Sequence, residues 1–139
     1  MNSLIWLKTL KKFDAERYIP MARIEESVLE KVAALYVLNL ELANIPWKTA
    51  DKNIAMLKLK WWEECIDTIE LDLRYKAHPF LKVLAEMVKE KKLEKKDLKK
   101  LVCARYTNAS NEPFLSVDQQ TDYIEQTAVN LTFMALNCF

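Results

Sequence analysis

The chain contains no glycine in its 139 residues and only four prolines. Tight β-hairpin turns depend largely on glycine, because its missing Cβ permits left-handed backbone angles without a clash. A sheet of connected hairpins would lack these turn residues, whereas helices need only short polar connections. Because 51% of the residues are hydrophobic and 29% are charged, the chain can bury a core. These features predict a single all-α domain over residues 1–139.

Apolar residues recur at steps of three and four in about six segments, which predicts about six helices. Asp14 is a plausible N-cap of a short first helix, which we expect Pro20 to interrupt because proline has no N–H to donate. The second helix is predicted from about Glu25 to Pro46, with one continuous apolar face. This helix should be central in the fold.

The remaining helices follow from the same spacing. The third begins at Thr49 or Asp51 and is expected to stop near Arg74. Two shorter helices are predicted near residues 80–88 and 98–105, after which residues 108–113 break the apolar pattern.

The last predicted helix begins at Ser116, a favourable N-cap. Its apolar residues continue to the end of the printed sequence and include Phe133, Met134, Leu136 and Phe139. We expect a lone bundle to cover this surface poorly. Such a surface favours a protein partner, a homodimer through the C-terminal helix, a membrane, or a continuation of the chain.

Charge and cysteine content exclude several classes of function. Lys and Arg number 21 against 20 for Asp and Glu, so the net charge predicts no nucleic-acid partner. The lysine-rich stretch over residues 89–100 is interrupted by acids and is typical of a solvated helix face. Cys65, Cys103 and Cys138 form no CxxC pair and lie in apolar patterns, which predicts reduced, buried thiols.

Cytoplasm or mitochondrial matrix is the predicted location, since unpaired cysteines accompany a sequence without a recognisable export signal. The apolar run Leu4–Leu7, followed by Lys8, Lys11 and Lys12, permits peripheral membrane contact. His78 is the only histidine and precedes Pro79. A loop or capping role is therefore expected for it, rather than a place in a metal cluster.

Pairs of acids four residues apart share one helical face, as ligands of a magnesium-diphosphate site must. Three pairs have this spacing, and ordinary explanations exist for them: acids in a first helical turn are favoured by the helix dipole, and the others can join polar networks. We therefore predict no metal site. If the chain does bind a metal, the alternative ligands are Glu63, Asp67, Asp118 and Asp122. The three pairs are Glu26 with Glu30, Glu63 with Asp67, and Asp118 with Asp122.

A set of short segments, taken in order and with their spacing, resembles the N-terminal half of the squalene/phytoene synthase family. The resemblance covers the chain from about Asp14 onward and implies a partial isoprenoid-synthase-like helical bundle. The segments are Arg17-Tyr18, Ala34–Ala43, Leu59–Trp62 with Asp67, His78-Pro79, Ala104-Arg105 and Tyr123–Ala128.

The synthases of that family carry an Arg-x-x-Asp-Asp-x-x-Asp motif on the helix that corresponds to residues 38–47. In this chain Leu40 replaces the arginine, Ala43 and Asn44 occupy the aspartate pair, and Trp47 stands at the final acid. Several carboxylates are needed to hold the Mg²⁺ that neutralises a prenyl diphosphate. The resemblance therefore points away from the family's catalysis.

The segment Asn39–Ala43 resembles a branch of the family that includes a mitochondrial complex I assembly factor. This likeness implies a non-catalytic, protein-binding role without a cofactor, in the assembly of a respiratory complex. One alternative is a Mg²⁺-dependent prenyltransferase acting on prenyl diphosphates, and a second is a truncated family member without activity. The resemblance-bearing polar and aromatic residues, none assigned a catalytic role, are Asn39, Glu41, Trp61, Trp62, Asp67 and His78.

Overall fold

The computed structural model describes residues 2–71, 73–110 and 113–139, so Asn111 and the residue after it, within the predicted pattern break, lie outside the described residues. Every regular element in these ranges is helical, which confirms the all-α prediction. A π-helical turn at Glu125–Val129 joins the last two helices. The helices are α1 Asn2–Phe13, α2 Ala15–Met21, α3 Glu26–Lys48, α4 Lys52–Asp67, α5 Phe80–Lys89, α6 Lys95–Ser110, α7 Val117–Ile124 and α8 Asn130–Leu136.

Helix α3 is the central element, as its long apolar face predicts. It contacts α1, α4, α5, α6 and α8. Leu35, Leu38 and Leu42 on this helix are fully buried, and each such side chain contributes about 1.5–3 kcal/mol of hydrophobic stabilisation. These residues of α3 therefore belong to the core that its neighbouring helices share.

Two helix starts follow the predicted capping chemistry. The Asp51 carboxylate accepts hydrogen bonds from the backbone N–H of Asn53 at 2.8 Å and of Ile54 at 3.4 Å. The Ser116 hydroxyl accepts from the N–H of Gln119 at 3.2 Å. Each side chain thereby satisfies a donor that the first helical turn leaves free.

Pro20 was expected to interrupt the first predicted helix and Pro46 to end the second, but each helix continues slightly past its proline. Pro20 lies inside α2, which ends one residue later at Met21, and Pro46 lies inside α3, which continues to Lys48. A proline in the last turn removes only its own N–H bond, so the helix can finish its turn before ending. Asp14 does occupy the N-cap of α2, but its carboxylate pairs with Arg17 at 2.9 Å rather than with the backbone.

The expected end of the third helix near Arg74 is wrong, because α4 ends at Asp67. The Thr68 hydroxyl donates to the carbonyl of Glu64 at 2.9 Å, and Arg74 Nη1 donates to the same hydroxyl at 3.2 Å. The Tyr75 hydroxyl donates to the carbonyl of Ile69. These local bonds hold a compact turn in place of a further helical turn.

The chain lacks glycine even where a helix ends in a left-handed residue. Lys91 follows α5 with φ of 61°, and its N–H bonds to the carbonyl of Val88 at 3.1 Å. The N–H of Lys92 reaches the carbonyl of Met87 at 2.9 Å. This is the Schellman arrangement, which glycine normally completes at lower conformational cost.

The ends of the chain carry exposed apolar residues. On α1, Trp6 is buried whereas Leu4 and Ile5 are exposed. Within the described residues, no helix combines the length and apolar character needed to cross a membrane. In the C-terminal helix Met134 is buried, contrary to expectation, because it faces the core, while its neighbours Phe133, Leu136 and Phe139 are exposed.

The cysteine prediction holds for two of the three thiols. Cys65 and Cys138 are free and buried, and burial raises the pKa of each to about 11. Cys103 is free but exposed, so its predicted burial is wrong. Its Sγ lies 3.6 Å from Glu63 Oε1 on the neighbouring helix, on the surface side of α6.

Candidate functional site

Two clefts border the C-terminal half of α3. The larger, here called the central groove, lies between the end of α3, the start of α4 and helices α6 and α7, with a volume of about 860 Å³. Its lining consists of Ala43, Pro46, Trp47, Thr49, Ala50, Lys52, Ala55, Arg105, Asn108, Ala109 and Tyr123. The smaller, here called the aromatic pocket, has a volume of about 250 Å³ and is lined by Glu41, Ile45, Lys48, Lys58, Trp61, Trp62 and His78.

The wall of the central groove contains two positions at which the resembled synthases carry acids. Ala43 presents a methyl group there, and Trp47 stands at the mouth with 87% of its surface exposed. The charged side chains among the described lining residues are both cations, Lys52 and Arg105. The groove is therefore suited to an anion rather than to Mg²⁺.

A polar network closes the inner end of the central groove. Arg105 Nη1 donates to the Tyr123 hydroxyl at 2.9 Å, and Nη2 donates to Asn39 Oδ1 at 3.2 Å. The Asn108 amide donates to the same tyrosine oxygen at 2.7 Å. Asn39 is only 4% exposed, so this network links the buried centre of α3 to α6 and α7.

The π turn helps to position Tyr123. Thr127, which is buried within the turn, donates its hydroxyl to the carbonyl of Tyr123 at 2.8 Å. A π turn widens the backbone locally and is frequently found beside functional sites. The turn thus anchors the end of α7 from which the tyrosine reaches Arg105.

The aromatic pocket is built on a cluster of rings around His78. The His78 ring centroid lies 4.9 Å from that of Trp62, 5.7 Å from Trp61 and 5.6 Å from Phe80. Burial lowers the pKa of His78, and the Glu41 carboxylate partly offsets that effect. The histidine lies in the loop before α5, as predicted, and its ring packs among these aromatic side chains.

The six predicted site residues do not form one site. Glu41, Trp61, Trp62 and His78 meet in the aromatic pocket, whereas Asn39 belongs to the network of the central groove. Asp67 lies at the surface, where it pairs with Lys99 at 2.9 Å. Two residues of the groove, Arg105 and Tyr123, were matched as family landmarks but not predicted as site residues.

The alternative metal ligands are also dispersed. Glu63 pairs with Lys60 at 3.6 Å, and Asp67 is engaged by Lys99. Asp122 borders a separate shallow depression on the far side of α6, and Asp118 is exposed in the first turn of α7. In the described part of the chain, no three His, Cys, Asp or Glu side chains are grouped closely enough to hold a metal ion. That no metal is bound stays a prediction.

The fold and the groove define an all-α domain with a cleft whose described walls lack the carboxylates of a magnesium site. The squalene/phytoene synthase family model matches residues 10–139. The chain belongs to the squalene/phytoene synthase family, which confirms the resemblance and the isoprenoid-synthase-like bundle that it implies.

Curated relatives are identical to this chain at about a quarter of the aligned residues. Identity is 26% over 130 residues to NADH dehydrogenase (ubiquinone) complex I, assembly factor 6 of Homo sapiens, covering 94% of this chain and 39% of that protein. The Drosophila melanogaster homolog of that factor is 27% identical over 135 residues, covering 94% of this chain and 40% of the other. The chain thus spans about two fifths of the length of these relatives. No solved structure matches.

Proposed function

We propose that the chain is a non-catalytic, protein-binding member of the squalene/phytoene synthase family that acts in the assembly of respiratory complex I. The observation that carries this proposal is the lining of the central groove. Ala43 and Trp47 stand where the synthases carry acids, and the two charged groups of the described lining are the cations Lys52 and Arg105. Among the described lining residues there is no carboxylate to hold the Mg²⁺ that promotes loss of a diphosphate, and the two cations would repel that metal.

The names of the relatives support the assignment to complex I. Proteins called complex I assembly factor 6 align with more than nine tenths of this chain in species as distant as Homo sapiens and Dictyostelium discoideum. A helical domain with exposed apolar faces is suited to contact other polypeptides, as this proposal requires. In this proposal the chain works in the mitochondrial matrix, which is one of the two predicted locations and agrees with a role in complex I assembly.

The C-terminal face is one of the proposed contact surfaces. Phe133, Leu136 and Phe139 are 64%, 59% and 72% exposed. Exposed aromatic and aliphatic side chains that cluster on one element mark interaction sites. We propose that this face contacts a protein partner or a second copy of the chain.

A second surface is proposed for peripheral membrane contact. Leu4 and Ile5 in the first turn of α1 are exposed, and Lys8, Lys11 and Lys12 are exposed further along the helix. An apolar turn followed by lysines is the arrangement by which short helices attach to anionic lipid surfaces. Such contact would bring the domain to a membrane-embedded assembly without inserting it.

The test combines partner recovery with an enzyme assay. The tagged chain is cross-linked in its own cells and purified, and we expect complex I subunits among the cross-linked proteins. Phe133→Asp with Leu136→Asp should reduce their recovery, whereas Leu57→Asp, an exposed residue of α4, should not. The same variants are checked for a helical circular dichroism spectrum.

The enzyme assay tests the alternative function, a prenyltransferase. Purified chain is incubated with farnesyl diphosphate and Mg²⁺, and released diphosphate is measured. Saturable release would refute the non-catalytic proposal. Recovery of no complex I subunit by well-folded protein would instead favour the family member without activity.

A further inference from the structure

Arg105 is a partly buried cation with no ion pair among the described residues. Arg17 meets the Asp14 carboxylate at 2.9 Å, whereas the contacts of Arg105 are the neutral groups of Asn39 and Tyr123. Its Nε is buried, and among the described groups it finds no hydrogen-bond partner. An uncompensated cation in a partly desolvated site favours binding of an anion.

The Tyr123 hydroxyl adds a second unused donor. Its oxygen accepts hydrogen bonds from Arg105 and from Asn108. A tyrosine hydroxyl also carries one proton to donate, and no described group accepts it. The amide of Asn108 has a second N–H as well, so three polar side chains present donors in one region of the central groove.

Lys52 extends this positive character to the rim of the groove. It is exposed at the start of α4 and forms no ion pair within the described ranges. The carboxylate beside it, Asp51, is occupied by two N–H groups at the N-terminus of α4. An incoming anion would therefore meet Lys52 before it reaches Arg105.

We propose that the central groove binds an acidic side chain of a partner polypeptide, with Arg105, Tyr123 and Asn108 as its hydrogen-bond donors and Lys52 at the rim. This inference rests on the proposed function and names the chemistry of the partner. A carboxylate is planar and can align with the planar guanidinium. It would accept hydrogen bonds from the donors of Arg105, whose guanidinium Asn39 holds in place.

The rest of the groove fits a polypeptide segment. Its volume of about 860 Å³ is open to solvent, and is at the upper end of the roughly 300–1,000 Å³ common for small-ligand sites. Ala43, Ala55 and Ala109 provide small apolar walls, and Trp47 projects at the mouth. Trp, Tyr and Arg together are the residue types that dominate the energetics of protein interfaces.

The test begins with a phage-displayed library of random 12-residue peptides selected on the full chain. We expect the enriched peptides to carry Asp or Glu beside apolar residues. Enrichment without acids, or no enrichment, would overturn the inference. The best peptide is then synthesised with a fluorophore, together with a matched peptide in which Asp and Glu become Asn and Gln, and binding is measured by anisotropy.

Matched variants of the chain connect binding to the groove. Lys52→Glu should weaken the acidic peptide about tenfold, while Lys58→Glu, an exposed lysine of the same helix that lines the aromatic pocket, should leave the affinity within about twofold. Arg105→Gln should weaken it about 10- to 100-fold, as expected for loss of a charge-assisted hydrogen bond. Tyr123→Phe retains the ring but removes the hydroxyl that donates to the acid and accepts from Arg105, so it should also weaken the acidic peptide. Because Arg105→Gln can also disturb folding, the surface pair of lysine variants decides the outcome.

Two further results would overturn the inference. Equal loss from Lys52→Glu and Lys58→Glu would mean general charge attraction, and displacement of the peptide by micromolar farnesyl diphosphate would make the groove a site for a small anion. In either case recovery of complex I subunits with the cross-linked chain would leave the proposed function standing. The two proposals therefore fail by different measurements.

Discussion

The hydrogen bond between Asn39 and Arg105 should be an energetically coupled contact, since it ties the buried middle of α3 to α6. A double-mutant cycle of Asn39→Leu, Arg105→Met and the double variant measures the coupling energy of this hydrogen bond. Leucine keeps the branched shape of asparagine and methionine keeps most of the length of arginine, while the acceptor and the donor are removed. Each single variant leaves the other polar group without its partner inside the fold, whereas the double variant removes both.

The magnitude follows from geometry and burial. A hydrogen bond to a charged donor contributes about 1.5–3 kcal/mol, and the 3.2 Å separation of Nη2 and Oδ1 is at the long end of the usual range. We therefore expect Asn39→Leu to lower the free energy of unfolding by about 2 kcal/mol. The coupling energy of the cycle should be about 1.5 kcal/mol, because the double variant avoids the unpaired buried group.

Equilibrium denaturation in guanidinium chloride, followed by circular dichroism at 222 nm, measures the four free energies. A matched control cycle uses Glu94→Gln and Lys96→Gln, whose ion pair at 3.0 Å is 63% and 70% exposed. Exposed pairs of this kind couple by about 0.2–1 kcal/mol. A coupling between Asn39 and Arg105 no larger than that of the control would refute the view that this bond holds the arginine in place.

Three smaller perturbations test other parts of the fold. The pKa of His78, the only histidine, should be below 6.5 in an NMR titration because burial disfavours its charged ring. The stability that this burial contributes above pH 6.5 should therefore fall as the pH drops toward the lowered pKa. A pKa at or above 6.5 would contradict this prediction. Lys91→Gly should raise the free energy of unfolding by about 0.5–1 kcal/mol in thermal denaturation, since it relieves the left-handed backbone at φ of 61°. Lys92→Gly is its control and should not be stabilising. Iodoacetamide should alkylate exposed Cys103 in the native protein before Cys65, whose buried thiol has a pKa raised to about 11. Mass spectrometry measures the two alkylation rates, and equal rates would count against the assigned burial.

Apart from α1, which lies before the first predicted helix, the helices were predictable in outline because the information for them is local. A buried helical face requires apolar residues every three or four positions, so Leu35, Leu38 and Leu42 reveal the inner side of α3 before any neighbour is known. Caps are local too, since Asp51 and Ser116 bond to N–H groups two or three residues ahead. These features needed no knowledge of which helices pack together.

The central groove was not predictable from spacing, because its contacts join distant segments. Asn39 and Arg105 are 66 residues apart, and Arg105 and Tyr123 are 18 apart. The resemblance to the family matched all three positions, but it contained no statement that they share a network. The predicted end of the third helix was wrong for a related reason. The turn after Asp67 is held by Arg74 and Tyr75, which lie beyond the helix itself.

The absence of the family's acids from positions 43 and 47 determines the charge of the groove wall. Carboxylates at positions 43 and 47 would lie on the wall that also holds Arg105, and would compete for its positive charge. With Ala43 and Trp47 there, the guanidinium is held by the neutral amide of Asn39 and the neutral hydroxyl of Tyr123. Neutral partners orient the arginine without cancelling its charge. In the proposed docking role, the same substitutions that take acids out of the groove wall leave the charge of Arg105 available to an acidic side chain of a partner polypeptide.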